Sequence, residues 1–159
     1  MTHAHADWSE NRDYVSLTLA QRAPAGGVAW LIGRAVLGGL FFMSGAEKLM
    51  GLDQFAASLV KNGIPEQFAH ALAWLGAGVE TIGGLCILLG LATSWASLFL
   101  VAFTIIAAFI AHRFWEAPPE MRMMQTAHFE KNMMIAAAFC LLYVAGGGPY
   151  SIDRWRRFH

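Results

Sequence analysis

The chain has 159 residues, 57% hydrophobic and only 14% charged, and its eleven basic and eleven acidic side chains leave a net charge of zero. Soluble domains carry about 25% charged residues, so the polar surface that a small cytosolic globule needs is missing. Neutrality removes the electrostatic reason to expect nucleic acid as a partner, and the length suits one domain.

Residues 1–24, MTHAHADWSENRDYVSLTLAQRAP, are polar and mixed in charge. A secretory signal would start basic and turn apolar quickly, so this stretch reads as a soluble tail that stays in the chain, with His3 and His5 as surface residues rather than a metal site. A membrane-crossing helix needs about 20 mostly apolar residues, and four segments qualify. The first, about 25–45, opens after Pro24. The second, about 68–91, follows KNGIPE, where Gly63 and Pro65 break any helix and Glu66 suits a new N-terminus. The third, about 93–112, has no charge between Thr93 and Ala111 and closes in His112. The fourth, about 128–145, is apolar only from Met133 and stops at GGGPY.

These segments are apolar almost all round, as helices solvated by lipid are, and no stretch alternates as a barrel strand would. The expected fold is all-α, a transmembrane four-helix bundle over residues 25–146, followed by a basic tail at 147–159. Four spans put both termini on one side. The cluster RWRR after the last span points to cytoplasmic termini, with Trp155 as an interfacial anchor.

Two charges lie deep in the spans. At about 1.5 Å per residue, Arg34 is roughly 14 Å from the cytoplasmic end of the first span and Glu80 roughly 16 Å from that of the second. A lone intramembrane charge is costly and seeks a partner, so Arg34 and Glu80 are expected to pair. The pair reads either as a satisfied bridge fixing helix register or as a functional carboxylate tuned by the arginine. Gly38 and Gly45 share the face of Arg34, and Gly76 and Gly83 that of Glu80, which lets the backbones approach closely.

Lys48 continues the Arg34 stripe to the outer end, while Glu47 lies one position round, toward lipid headgroups. His112 and the segment HFEKN, with His128, Glu130, Lys131 and Asn132, reach the same level. Together they suggest the rim of an outward-facing polar pocket over Glu80. Two histidines fall short of a metal site, so no metal is expected. Cys86 and Cys140 share a depth and could meet if their helices adjoin, but no CxxC or zinc spacing is present, and inert packing is the favoured reading.

RAVLGGLFFMSGAEKL, GAGVETIGGLCILLGL, the charge-free third span and HFEKNMMIAAAFCLL resemble the DoxX family of small bacterial membrane proteins over about Val28 to Ala145. The resemblance implies a multi-pass bundle in the bacterial inner membrane and, from some members, a subunit of a quinone- or thiol-linked oxidoreductase. With no dinucleotide, Fe–S or haem motif in the chain, a catalytic or redox protein partner or a lipid-soluble quinone would carry the electrons. Under that reading Glu80, Arg34, His112, His128 and Lys48 form the reactive set. Phe41, Phe42, Trp74, Lys131 and Asn132 surround a quinone. The rival reading is a non-enzymatic small-solute carrier or a membrane assembly and maturation factor.

Overall fold

The computed structural model describes residues 24–156. His3, His5 and nearly all of the amino-terminal tail lie outside the described residues, as does Arg157. Among the described residues the chain is all helix and turn: α1 Pro24–Met50, α2 Leu52–Lys61, α3 Glu66–Leu89, α4 Thr93–Ala111, α5 Pro119–Ala145 and the single turn α6 Ile152–Trp155.

The four long helices alternate in direction and form the bundle. α1 packs most closely on α3, α4 on α5, and the α3–α4 contact joins the two pairs. We call the end holding the C-termini of α1 and α4 the upper end. Stretches within α1, α3 and α4, namely Gly26–Met50, Glu66–Leu89 and Thr93–Ala111, are each long and apolar enough to cross a membrane. α5 differs: its first half carries Glu120, Arg122, Gln125, His128, Glu130 and Lys131, and its apolar half runs from Met133. At 27 residues it is about 40 Å long against about 28 Å for α4, so its polar half projects past the upper end of α4.

Interior space is filled by Ile87, Leu100, Phe139 and Leu142, with Phe41 meeting Phe139 edge to face at 5.0 Å. Large apolar side chains also point outward on every long helix, among them Leu40, Leu75, Phe99, Ile106 and Val144. A water-exposed monomer rarely carries so much apolar surface; a lipid-facing one does.

α2 was not anticipated. Gly51 interrupts the helix after Met50, and Leu52, Phe55, Ala56 and Leu59 then form one apolar face at helical spacing, packed with Ile64 on Ala69 and Ala73 of α3. The α2 stop matches KNGIPE: Ile64 N–H donates to Leu59 O at 3.0 Å and Gly63 N–H to Val60 O at 2.9 Å, with Gly63 at φ +89°, a glycine-terminated helix end.

At the lower end, residues 146–156 fold back as a hook rather than trailing away. Trp30 Nε1 donates to Gly146 O at 2.9 Å, and Asp153 N–H to Gly90 O at 2.9 Å. The Asp153 carboxylate accepts from the backbone N–H groups of Ala92 (2.6 Å) and Thr93 (2.8 Å) and from the Thr93 hydroxyl (2.7 Å). A carboxylate at exposed N–H groups is a favourable helix cap. Here it comes from some sixty positions along the chain, so the carboxyl terminus helps to start α4.

The α1–α3 seam is made by glycine. A Cβ on Gly84 would press on the backbone nitrogen of Phe42 and stand 2.9 Å from Gly38 O; one on Gly38 would stand 2.7 Å from Gly84 O. Gly39, one position round, has nothing within 4 Å of its Cβ site. Gly84→Ala is therefore expected to destabilise the bundle by about 1–3 kcal/mol through overpacking, and Gly39→Ala to leave it unchanged or slightly stabilised. Unfolding of both variants in detergent micelles checks this; equal midpoints would remove the seam from the account.

Candidate functional site

Three polar centres lie at or near the helix interfaces, and the sequence pattern anticipated their members better than their pairing. Glu80 is buried on α3, with 9% of its side chain exposed, and forms an ion pair with Lys48 of α1. Ser44, one turn before Lys48, donates its hydroxyl to the other carboxylate oxygen at 3.3 Å. The Lys48 side chain is 30% exposed, and its ammonium lies 5.3 Å from the centre of the Phe55 ring of α2, within cation–π range. The pair is thus buried on the carboxylate side and open on the ammonium side, under the edge of α2.

Arg34 does not pair with Glu80. Its Nη1 donates to Ile87 O at 2.9 Å and Leu88 O at 2.7 Å, and its Nη2 to Tyr150 O in the hook. The residue is 2% exposed. Register explains the exchange of partners. Gly38 faces Gly84 and Leu88, and Gly45 faces Glu80 and Thr81. In this antiparallel pair Glu80 therefore stands level with Gly45, eleven residues beyond Arg34, or about 16 Å along the axis. Measuring depth from the expected cytoplasmic ends erred because those ends are not level: α3 ends at Leu89, beside Arg34, while α1 begins ten residues earlier, at Pro24.

His112, capping the C-terminus of α4, and His128 of α5 stack with ring centres 5.1 Å apart. His112 Nδ1 is 3.0 Å from Gln125 Oε1; a carbonyl accepts, so Nδ1 carries the proton and Nε2 is left as acceptor. Lys131 Nζ is 3.4 Å from His128 Nδ1 and donates to it. Lys131 is exposed and Asn132 half-buried on the same helix.

The expected apolar lining does not converge on Glu80. Phe41 is committed to the core against Phe139, Phe42 lies at the α1–α3 seam, and Trp74 is 60% exposed in an outward groove between α3 and α4. Cys86 lines that same groove, while Cys140 is exposed on α5, and both thiols are free. No group of three or more metal-ligating side chains occurs among the described residues. Ser44, Phe55, Gln125 and Asp153 were not anticipated. The only sequence signals were the turn spacing of Ser44 from Lys48 and the apolar face of α2. On α4, Thr104 Oγ1 is buried with no hydrogen-bond partner; it follows Phe103, whose ring reaches Gly76, and so stands near the level of Glu80.

Two outcomes follow. Lys48→Met leaves the more deeply buried partner uncompensated and should cost about 3 kcal/mol, whereas Glu80→Gln keeps an acceptor for Ser44 and leaves an ammonium that reaches solvent. Unfolding in micelles should show the lysine variant as the weaker; the reverse order would contradict the burial asymmetry. Burial holds the His112 pKa below the ordinary imidazole value of 6.5, with His128 and Lys131 adding to the effect and Gln125 opposing it. The unfolded chain then binds this proton more readily, so His112 destabilises the bundle as pH falls below about 6.5 and has no such effect above it. A melting-temperature profile should lose that acid-side slope in His112→Gln; an unaltered slope would clear His112 of the effect.

Comparison with known proteins agrees with this architecture. The sequence model of the DoxX family matches residues 29–113, just over half of the chain. Two Escherichia coli K12 proteins are similar over nearly their whole length. Inner membrane protein YphA is 29% identical over 127 residues, covering 80% of this chain and 89% of its own. Inner membrane protein YqjF is 33% identical over 128 residues, covering 80% and 91%. No solved structure matches.

Proposed function

The chain belongs to the DoxX family, and from that premise we propose that this multi-pass inner-membrane protein is a subunit of a membrane redox system. In this reading the Lys48–Glu80 pair receives the polar head of a lipid-soluble quinone, and electron transfer to or from it belongs to a partner subunit. The carrying observation is the pair itself: a carboxylate buried between α1 and α3, matched to an ammonium that is only partly covered. Ionisable groups inside a membrane are functional sites by default.

The donor set suits a carbonyl oxygen. Lys48 has three N–H donors and spends one on Glu80, which leaves two for a carbonyl oxygen. A bound quinone supplies a two-electron, two-proton couple. The residues of this chain do the rest: Lys48 orients a carbonyl by donation, Glu80 holds a proton at its carboxylate, and Phe55 of α2 flanks the open side of the pair. His112 and His128, at the same end, pass protons between the site and bulk water. The same reading puts the termini, the tail 1–24 and the basic end 147–159, on the cytoplasmic side, because Arg154, Arg156 and Arg157 cluster beyond the last long helix, α5.

The test is the quinone content of protein purified from native membranes, together with quinol-linked turnover of the co-purifying complex. Glu80→Gln should retain insertion and helicity, lose about tenfold or more of the bound quinone, in line with one lost charge-assisted contact, and abolish turnover. Quinone content and turnover equal to the parent protein would overturn the assignment.

A further inference from the structure

The two helix pairs do not close fully on each other. Between α3 and α4 an outward groove of about 450 Å³ runs from Trp74 down to Cys86, and none of the described residues lining it is charged. Its floor is made of small residues, Gly78, Gly83 and Ala96. A Cβ on Gly78 would meet nothing within 4 Å although the residue is half-buried, whereas one on Gly83 would press on Leu100 at 2.9 Å. The walls are large and open to the outside: Trp74 is 60%, Ile82 66% and Phe99 67% exposed.

The groove lies within two stretches long and apolar enough to cross a membrane, so it is continuous with the lipid-facing surface of the bundle. Water is absent at that depth, and dimensions decide which apolar occupant fits. Trp74 and Cys86 are twelve residues apart, about 18 Å along α3. Averaged over that length, the volume corresponds to a cross-section of about 25 Å². A helix 10–12 Å across needs about 80 Å² or more. An extended hydrocarbon chain, whose carbons approach neighbours to about 4 Å, fits singly. Depth points to one leaflet. Cys86 lies three residues before the end of α3, and Trp95, 67% exposed, stands at the same end near the start of α4, where tryptophan marks the headgroup level. From there the groove rises about 18 Å, close to the ~15 Å half-thickness of a bilayer's hydrocarbon core.

We propose that this groove holds one acyl chain of a phospholipid from the leaflet at the lower end, with the headgroup by the α3–α4 turn and the methyl end beneath Trp74. The chain completes the joint between the two helix pairs, so its presence stabilises the bundle. This inference stands apart from the redox reading. Glu80 stands against Gly45 of α1, and α3 separates it from the groove, so a quinone seated at Glu80 cannot lay its tail here.

The experiment uses the full chain carrying Cys140→Ala, which leaves Cys86 as the one thiol. The protein is held in digitonin, whose rigid steroid body is wider than the groove. It is titrated with palmitoyl-oleoyl phosphatidylcholine, with phosphatidylglycerol of the same chains, with dihexanoyl phosphatidylcholine and with ubiquinone-10. Retention is followed by native mass spectrometry, occupancy by the rate at which N-ethylmaleimide alkylates Cys86, and stability by thermal melting. Both long-chain phospholipids should be retained equally, slow the alkylation several-fold and raise the melting temperature by several degrees; the other two should do none of these. Gly78→Leu fills the floor from within and should lose retention roughly tenfold, the worth of about two buried methylene groups, together with the protection of Cys86. Gly33→Leu makes the same change on the exposed face of α1, where a Cβ also meets nothing, and should bind as the parent does. The chain-length series on the parent protein decides the matter even where a leucine variant folds poorly. Equal protection by the dihexanoyl lipid, stronger protection by ubiquinone-10, equal losses in both leucine variants, or a dimer that Gly78→Leu dissociates would overturn the proposal.

Discussion

The contact of α1 with α3 through backbone rather than side chains governs the rest of the molecule. Helix axes usually stand 8–10 Å apart because side chains intervene; at Gly38, Gly45 and Gly84 none do. So close a seam tolerates one register, since sliding by a turn would drive a Cβ into the facing chain. That register decides which charges meet. It carries Glu80 to Lys48 and Ser44, and leaves Arg34 level with the end of α3, where unsatisfied carbonyl groups and the hook await it.

Among the described residues, the buried Arg34 and Glu80 and the half-buried Asp153 are each engaged, but in two different ways. Arg34 is held by backbone oxygens of Ile87, Leu88 and Tyr150, and Asp153 by groups at the start of α4. Backbone acceptors at a helix end cannot leave without unwinding the helix, so this end of the bundle reads as a structural latch. Glu80 is instead answered by two side chains, one of them partly open. Side chains can exchange partners, and an ammonium engaged on one side can donate on another. Of the two buried centres, the upper one alone combines neutralisation with access, which is why chemistry is placed there.

Much of this was legible before folding was considered. The stripe Arg34, Gly38, Gly45, Lys48 faces the bundle while Glu47 is exposed, as helical spacing requires. The glycine and proline signals at KNGIPE and GGGPY stop helices where they stand. His112 and His128 meet because α4 and α5 are antiparallel neighbours. Less legible were α2, hidden because a ten-residue amphipathic helix is too short to signal a span, and the early start of α5 at Pro119, masked by its polar composition. The pairing of Arg34 with Glu80 was misread because depth was counted from helix ends taken as level, whereas α1 begins ten residues before Arg34, the residue that stands beside the end of α3.

Composition and hydropathy by themselves determined that this chain is all-α and membrane-embedded, because a lipid solvent leaves the backbone no way to satisfy its polar groups except within helices or closed barrels. Helical periodicity likewise determined which residues share a face. Which charge on one face meets which on the next was decided only in three dimensions. Partnership depends on the axial offset between two helices, and that offset is set by where two backbones can touch. For the same reason no local pattern announced that Asp153 caps α4: the cap is a contact between residues some sixty positions apart, and only the folded hook brings them together.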